Sequence, residues 1–252
     1  TLQDAGSDVA KDWYGTKTGK GTKVIFVKKL TRTMIEDGMF RGVLSKLNQI
    51  ERGWYGDEDY VGDGIKIGTR LGKKLQIRGE SRDTKWSRLD SGRIDKRLVA
   101  ELGFGNNRVF QTTFTESYSD AILHISVDAS GSMSGKKWTK TMTSVVAITK
   151  ACSMIQNVDV VVSFRSTDDG GNYNTRRADT KPLIIVAYDS RVDNFNKVRR
   201  DFPHIHPGGT TPEGLCFEAI MDDFVPSTTD RDSYFLNFSD GMPMFSNNDM
   251  YY

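Results

Sequence analysis

The 252-residue chain is 37% hydrophobic and 27% charged, with a formal net charge of +2, the balance of a globular protein with one or two domains and a sizeable core. Nothing approaches the roughly 18–20 continuous apolar residues of a membrane span, and the opening TLQDAGSDVAKDWYG lacks the apolar segment of a secretion signal. These features point to the cytoplasm, with no membrane partner. Cys152 and Cys216 fall in separate predicted helices without metal-type spacing, so they read as buried free thiols.

Charge divides the chain near residue 120. Before that point 22 Lys and Arg stand against 17 Asp and Glu, and after it 13 stand against 16. In the basic half, GTKTGKGTK (15–23) and YGDEDYVGDG (55–64) read as loops. Between them, Met34, Ile35, Met39, Val43, Leu44 and Leu47 are spaced for one face of a helix over 30–53, interrupted by Gly38 and Gly42. Residues 1–120 are therefore expected to form a smaller, loosely ordered, α-rich flanking region. GTKTGKGTK lacks the G-x-x-x-x-G-K-[ST] spacing of a phosphate loop. The charge runs are too mixed in sign for a nucleic-acid surface.

From residue 121 strands and helices alternate. AILHISV (121–127), VDVVVSF (158–164), PLIIVAY (182–188) and SYFLNF (233–238) read as strands. KKWTKTMTSVVAITKACSMIQ (136–156), VDNFNKVRRDF and PEGLCFEAIMDDF read as helices. The pattern predicts an α/β domain over 121–252, a doubly wound, mainly parallel, Rossmann-like sheet. His124 lies within a strand and reads as a core histidine. His204 and His206, with no cysteine nearby, read as unliganded rather than as a metal pair.

In such sheets ligands bind beyond the carboxyl ends of the strands. Asp128, Ser130 and Ser132 follow the first strand in DASGSMSG, Asp240 follows the last in SDG, and HPGGTTPEG introduces the helix between them with Thr210 after its glycine pair. Three hydroxyls and two carboxylates make an all-oxygen set suited to a hard divalent cation, with Mg2+ the natural choice. Thr211 is a second candidate for the threonine position. The competing interpretation is that Asp128 and Ser130 cap the helix that follows, since Asp and Ser are favoured N-caps.

D-x-S-x-S after a strand, a Gly-Gly-Thr turn and a strand-ending Asp-Gly together resemble the metal-ion-dependent adhesion site (MIDAS) of von Willebrand factor A (VWA) domains. The resemblance implies that Ser130, Ser132 and Thr210 contact the metal and that Asp128 and Asp240 act mostly through bound water. A position left open on the ion then takes an acidic residue from a partner protein. Such a domain continues past the Asp240 strand with further helices and strands, so the short remainder GMPMFSNNDMYY implies a fold truncated at its C-terminus.

The segment 88–120, with Leu89-Asp90-Ser91-Gly92-Arg93-Ile94-Asp95 and the basic, aromatic RVFQTTF, resembles the entry to this domain in cobaltochelatase CobT-type subunits. That family works with a ring-forming AAA+ ATPase, driving cobalt into a corrinoid ring for cobalamin biosynthesis or remodelling a client. Compact relatives occur in bacteriophages. The implied role is a non-catalytic subunit of an ATP-driven machine. The alternative is a stand-alone, adhesion-type, metal-dependent binding module. No arrangement for nucleophilic catalysis stands out.

Overall fold

A computed structural model describes residues 14–19, 22–45, 59–79, 82–116, 120–168, 180–221, 223–241, 243–247 and 250–251. In chain order the first elements are β1 (Tyr14–Gly19), β2 (Thr22–Val27), α1 (Arg32–Glu36), α2 (Tyr60–Gly79), β3 (Arg82–Leu89), β4 (Arg93–Ile94) and β5 (Phe110–Glu116). They are followed by β6 (Asp120–Asp128), α3 (Lys136–Cys152), β7 (Val158–Thr167), β8 (Pro182–Asp189), α4 (Asn196–Asp201), α5 (Glu213–Met221) and β9 (Arg231–Phe238). Two-residue strands β10 (Ser246–Asn247) and β11 (Met250–Tyr251) pair with each other.

Six strands form the central sheet in the order β1-β2-β8-β7-β6-β9. β6 runs parallel to both β7 and β9, and β2 runs parallel to β8. The sheet is thus mostly parallel and the fold mixed α/β, as the alternation of elements predicts. β8 departs from that expectation because it is antiparallel to β7. No crossover helix joins them among the described residues, and a connection that returns from the same end of the sheet imposes an antiparallel partner.

Side chains alternate between the two sheet faces, and both faces of the inner strands are covered. On one, Ile25, Val27, Ile125, Val127, Val160, Val162, Phe164 and Leu183 pack with Trp138, Met142 and Val145 of α3 and with Leu30, Met34 and Ile35. On the other, Val24, Phe26 and Ile184 pack with Leu215, Cys216, Ala219 and Ile220 of α5. Double coverage explains why these strands read as nearly continuous apolar runs. Both cysteines are buried and unbonded, and burial pushes the Cys152 thiol up to about 11. His124 is buried, its Nε2 accepting the Val225 N–H at 3.4 Å.

Three expectations for the basic half are corrected. Within GTKTGKGTK, residues 15–19 belong to β1 and residues 22–23 open β2, while residues 20–21 lie outside the described residues; these strands extend the main sheet across the expected boundary at residue 120. The helix expected over 30–53 is helical only at Arg32–Glu36. Gly38, at φ +66° just past that helix, takes the left-handed conformation that ends it. Residues 46–53, with Leu47, lie outside the described residues. Met34, Ile35, Val43 and Leu44 are buried all the same, so their apolar spacing reports core contact without a continuous helix.

The third correction concerns YGDEDYVGDG, whose last five residues open α2; residues 55–58 lie outside the described residues. Asp59 caps this helix, its Oδ1 accepting the Gly62 N–H at 2.8 Å. Along α2, Gly64, Gly68 and Gly72 recur every four residues and lie against α3. A Cβ at Gly64 would stand 2.7 Å from Val146 Cβ, at Gly68 2.4 Å from the Ala147 carbonyl oxygen, and at Gly72 2.8 Å from Met154 Sδ. Absent side chains let the two helix backbones approach.

This contact reverses the usual sign of a glycine substitution. Alanine is favoured over glycine in a helix by about 1 kcal/mol, but overpacking a rigid contact costs about 1–3 kcal/mol. Gly68→Ala is expected to lower the urea midpoint. Gly214→Ala in α5, where nothing lies within 4 Å of the added carbon, should leave it unchanged or raise it.

Candidate metal centre

From β6 the chain moves outward through β7 to β8 and then returns to place β9 on the other flank of β6. That reversal opens a crevice beyond the carboxyl ends of β6 and β9, where ligands bind in doubly wound sheets. Asp128 is the last residue of β6, and Asp240 lies two residues beyond β9.

The predicted residues converge there. Ser130 and Ser132 share a hydrogen bond at 2.9 Å, and the Ser132 hydroxyl donates to Asp240 Oδ1 at 2.8 Å. Asp128 is fully buried, its Oδ1 accepting the Ser130 N–H at 2.8 Å and its Oδ2 the Ser239 hydroxyl at 3.3 Å. The serine loop and the glycine-threonine loop are joined by backbone: Gly131 N–H donates to the Gly209 carbonyl at 3.1 Å, and Gly208 N–H to the Ala129 carbonyl at 2.8 Å. Both glycines are required. Gly209 has φ +74°, and a Cβ there would lie 2.2 Å from Thr167 Oγ1; one on Gly208 would lie 2.3 Å from the Gly42 carbonyl oxygen.

Helix capping does not explain these side chains. α3 begins at Lys136 with Gly135 as its N-cap, and no side chain caps it. Ser130 precedes only a 3-10 turn, Gly131–Met133, and its hydroxyl makes no capping bond. Thr210 supplies the most direct test of fit to a cation. Its Oγ1 is buried without a hydrogen-bond partner, an arrangement that costs free energy unless something else takes the lone pairs. Thr211 is instead held by its backbone, which exchanges two hydrogen bonds with Met244. The donor set therefore fits a hard cation at Ser130, Ser132 and Thr210, with Asp128 and Asp240 behind them.

Charge around the site is graded. Burial pushes the Asp128 carboxyl above its ordinary range, opposed by the Ser130 N–H and the Arg165 guanidinium. Arg165 pairs with Asp128 across β7 and β6 and is buried, bonding Ser126 Oγ at 2.9 Å and Glu213 Oε1 at 2.8 Å. Asp240 is the more exposed carboxylate. Lys137 Nζ sits 2.5 Å from its Oδ2, holding it below the ordinary range.

Lys137, Arg165, Ser239 and Glu213 escaped sequence reasoning. Arg165 had a signal, a lone charge closing the apolar run VDVVVSF, and Ser239 precedes Asp240 directly. Lys137 lies in the first turn of α3, where it passes for an ordinary surface cation. Among the described residues no three His, Cys, Asp and Glu side chains form a group that could hold a metal ion. No family model and no curated protein matches the chain.

Two substitutions separate the roles of these residues. Removing an orphaned hydroxyl leaves no partner unpaired, so Thr210→Val should keep the melting temperature of the metal-free protein while abolishing the rise that millimolar magnesium produces through linkage. Thr211→Val should retain that rise. Lys137→Met removes a competing cation worth at most about 1 kcal/mol as an exposed pair, so magnesium affinity should rise on the order of threefold, measured by calorimetric titration.

Proposed function

We propose that this chain is a VWA-type, Mg2+-binding subunit without a catalytic site of its own, working with a ring-forming AAA+ ATPase. The setting is that of cobaltochelatase-type machines, which insert cobalt into a corrinoid ring or remodel a client. The observation that carries the reading is the buried, unpartnered Thr210 hydroxyl on the loop that backbone hydrogen bonds tie to the Ser130–Ser132–Asp240 chain. A buried oxygen without a hydrogen-bond partner, placed where the strand order reverses, supports a coordinating role.

Ser130, Ser132 and Thr210 would hold the ion through neutral oxygens, while Asp128 and Asp240 orient the hydroxyls. When bound, magnesium supplies an open, positively charged position that accepts a carboxylate from a partner. The chain's own residues preserve that charge. Asp128 is turned inward to the Ser130 amide and shares its field with Arg165, and Asp240 divides its oxygens between Ser132 and Lys137. Neutral contacts leave the ion electrophilic, which suits recognition of an acidic side chain better than catalysis. The same economy of charge predicts a modest affinity that depends on every hydroxyl.

The purified chain should hydrolyse no ATP and should form a magnesium-dependent complex with its co-encoded AAA+ ATPase. Ser130→Ala and Asp240→Ala should weaken that complex about 10- to 100-fold at limiting magnesium, the usual cost of losing an orienting group. Excess metal should partly restore it, and melting temperatures should barely move. Magnesium-dependent binding of acidic peptides with no response to the ATPase would instead identify a stand-alone binding module. ATP hydrolysis abolished by a substitution within this chain would overturn the subunit reading.

A further inference from the structure

Residues 82–116 contain a second sheet, three antiparallel strands in the order β3-β5-β4. Its register sorts the side chains by face. Thr84 is opposite Phe114, Trp86 opposite Thr112 and Ile94 opposite Phe110. Cross-strand partners share a face, so Trp86, Phe110, Phe114 and Ile94 lie on one side. The same alternation puts Lys85, Ser87, Arg93, Gln111 and Thr113 on the other.

An antiparallel sheet patterned in this way normally turns its apolar face to a core and its polar face to water. Here most of the apolar face is bare: Trp86 is 62% exposed, Phe114 61% and Ile94 50%, with Phe110 half-buried. The 3-10 turn Val99–Phe104 adds Val99, Leu102 and Phe104, also exposed. It is tied to β3 by Arg88, whose guanidinium donates twice to Glu101 at 3.2 and 3.1 Å. Exposed apolar area concentrated in one small module marks an interaction site.

Charge selects the occupant. Residues 84–114 carry six Lys and Arg against three Asp and Glu. Two of those acids are already engaged, Asp90 by Arg108 and Glu101 by Arg88. The excess lies in Lys85, Arg93, Lys96 and Arg97. A second copy of the chain would bring two cationic modules together. Nucleic acid would match the net charge and could stack bases on the exposed Trp86, Phe104 and Phe114 rings, but strand register puts Lys85 and Arg93 on the face away from Trp86 and Phe114, so half of the excess cations lie where phosphates beside those rings would not meet them. A protein with an apolar strip for Trp86, Ile94 and Phe114 and acidic groups for Lys96 and Arg97 fits the patch without needing Lys85 or Arg93 on the same face.

We infer that the apolar face of β3-β5-β4 is a docking surface for such a protein, and, on the reading proposed above, that this protein is the AAA+ ATPase. The surface is separate from the metal centre, so the two contacts fail independently.

The test uses the full chain and the co-encoded ATPase, with binding measured in magnesium and in chelator. Trp86→Ser combined with Phe114→Ser should lower affinity at least tenfold in both conditions, with the melting temperature unchanged because both side chains are exposed. Lys96→Glu combined with Arg97→Glu should weaken binding as well, by a factor that shrinks as salt rises. Ser130→Ala should alter only the magnesium-dependent part. If Ser130→Ala and chelator do nothing while the Trp86 and Phe114 variant loses binding, docking stands and the metal reading fails. A complex indifferent to the Trp86 and Phe114 variant, or no complex at all, overturns the docking surface. Concentration-dependent dimerisation of the chain, or binding of oligothymidylate, lost in that same variant, overturns it too.

Discussion

A buried guanidinium organises the functional end of this molecule. Arg165, 1% exposed, closes β7 beside Asp128, bonds Ser126 on β6, reaches Glu213 at the start of α5 and touches the Phe238 carbonyl at the end of β9. The Phe217 ring lies 5.0 Å below it. Burial disfavours its charge, and Asp128 and Glu213 restore it. A buried pair of this kind contributes little net stability, but breaking it strands a charge at a cost of about 3–5 kcal/mol. Its terminal nitrogens are engaged by Ser126, Glu213 and Phe238 while Nε is buried without a partner, and the strand register that makes these contacts brings Asp128 and Asp240 to the same crevice.

The second constraint is backbone contact between loops from distant parts of the chain. Gly208 touches Gly42, the Ser45 N–H donates to the His204 carbonyl, and the His206 N–H donates to the Val43 carbonyl. The Ser166 hydroxyl donates to the Gly208 carbonyl. Residues 42–45, in the basic half, therefore brace the segment that presents Thr210. Holding an unpaired hydroxyl in a buried position costs free energy, and these contacts on both sides keep the loop from relaxing to satisfy it. The candidate site thus draws on both halves of the chain.

Lys137 and Arg165 illustrate two uses of a cation near a carboxylate. Arg165 is enclosed and lies in register with Asp128, which the Ser130 N–H and the Ser239 hydroxyl hold, whereas the Lys137 side chain is 60% exposed and can leave Asp240 for solvent at little cost. The inner carboxylate is structural and the outer one exchangeable.

Much of this was legible in the sequence, for local reasons. Strands covered on both faces must be apolar along their length, so β6, β7 and β8 announce themselves. A strand that ends in alternating oxygen side chains has no packing reason to do so, and Asp128, Ser130, Ser132, Thr210 and Asp240 could be named from order and spacing alone. Membership of β1 and β2 in the main sheet was hidden, because an edge strand that alternates Thr with Lys has the composition of a loop. The antiparallel course of β8, the glycine stripe of α2 against α3 and the bracing of Gly208 by Gly42 are contacts between residues far apart in the chain, which no local periodicity encodes. Residue types and spacing decided which oxygens are offered at the strand ends. Tertiary packing decided that Thr210 Oγ1 is left without a partner and that Lys137, rather than any other cation, faces Asp240, because burial and distance are set only when the strands have chosen their neighbours.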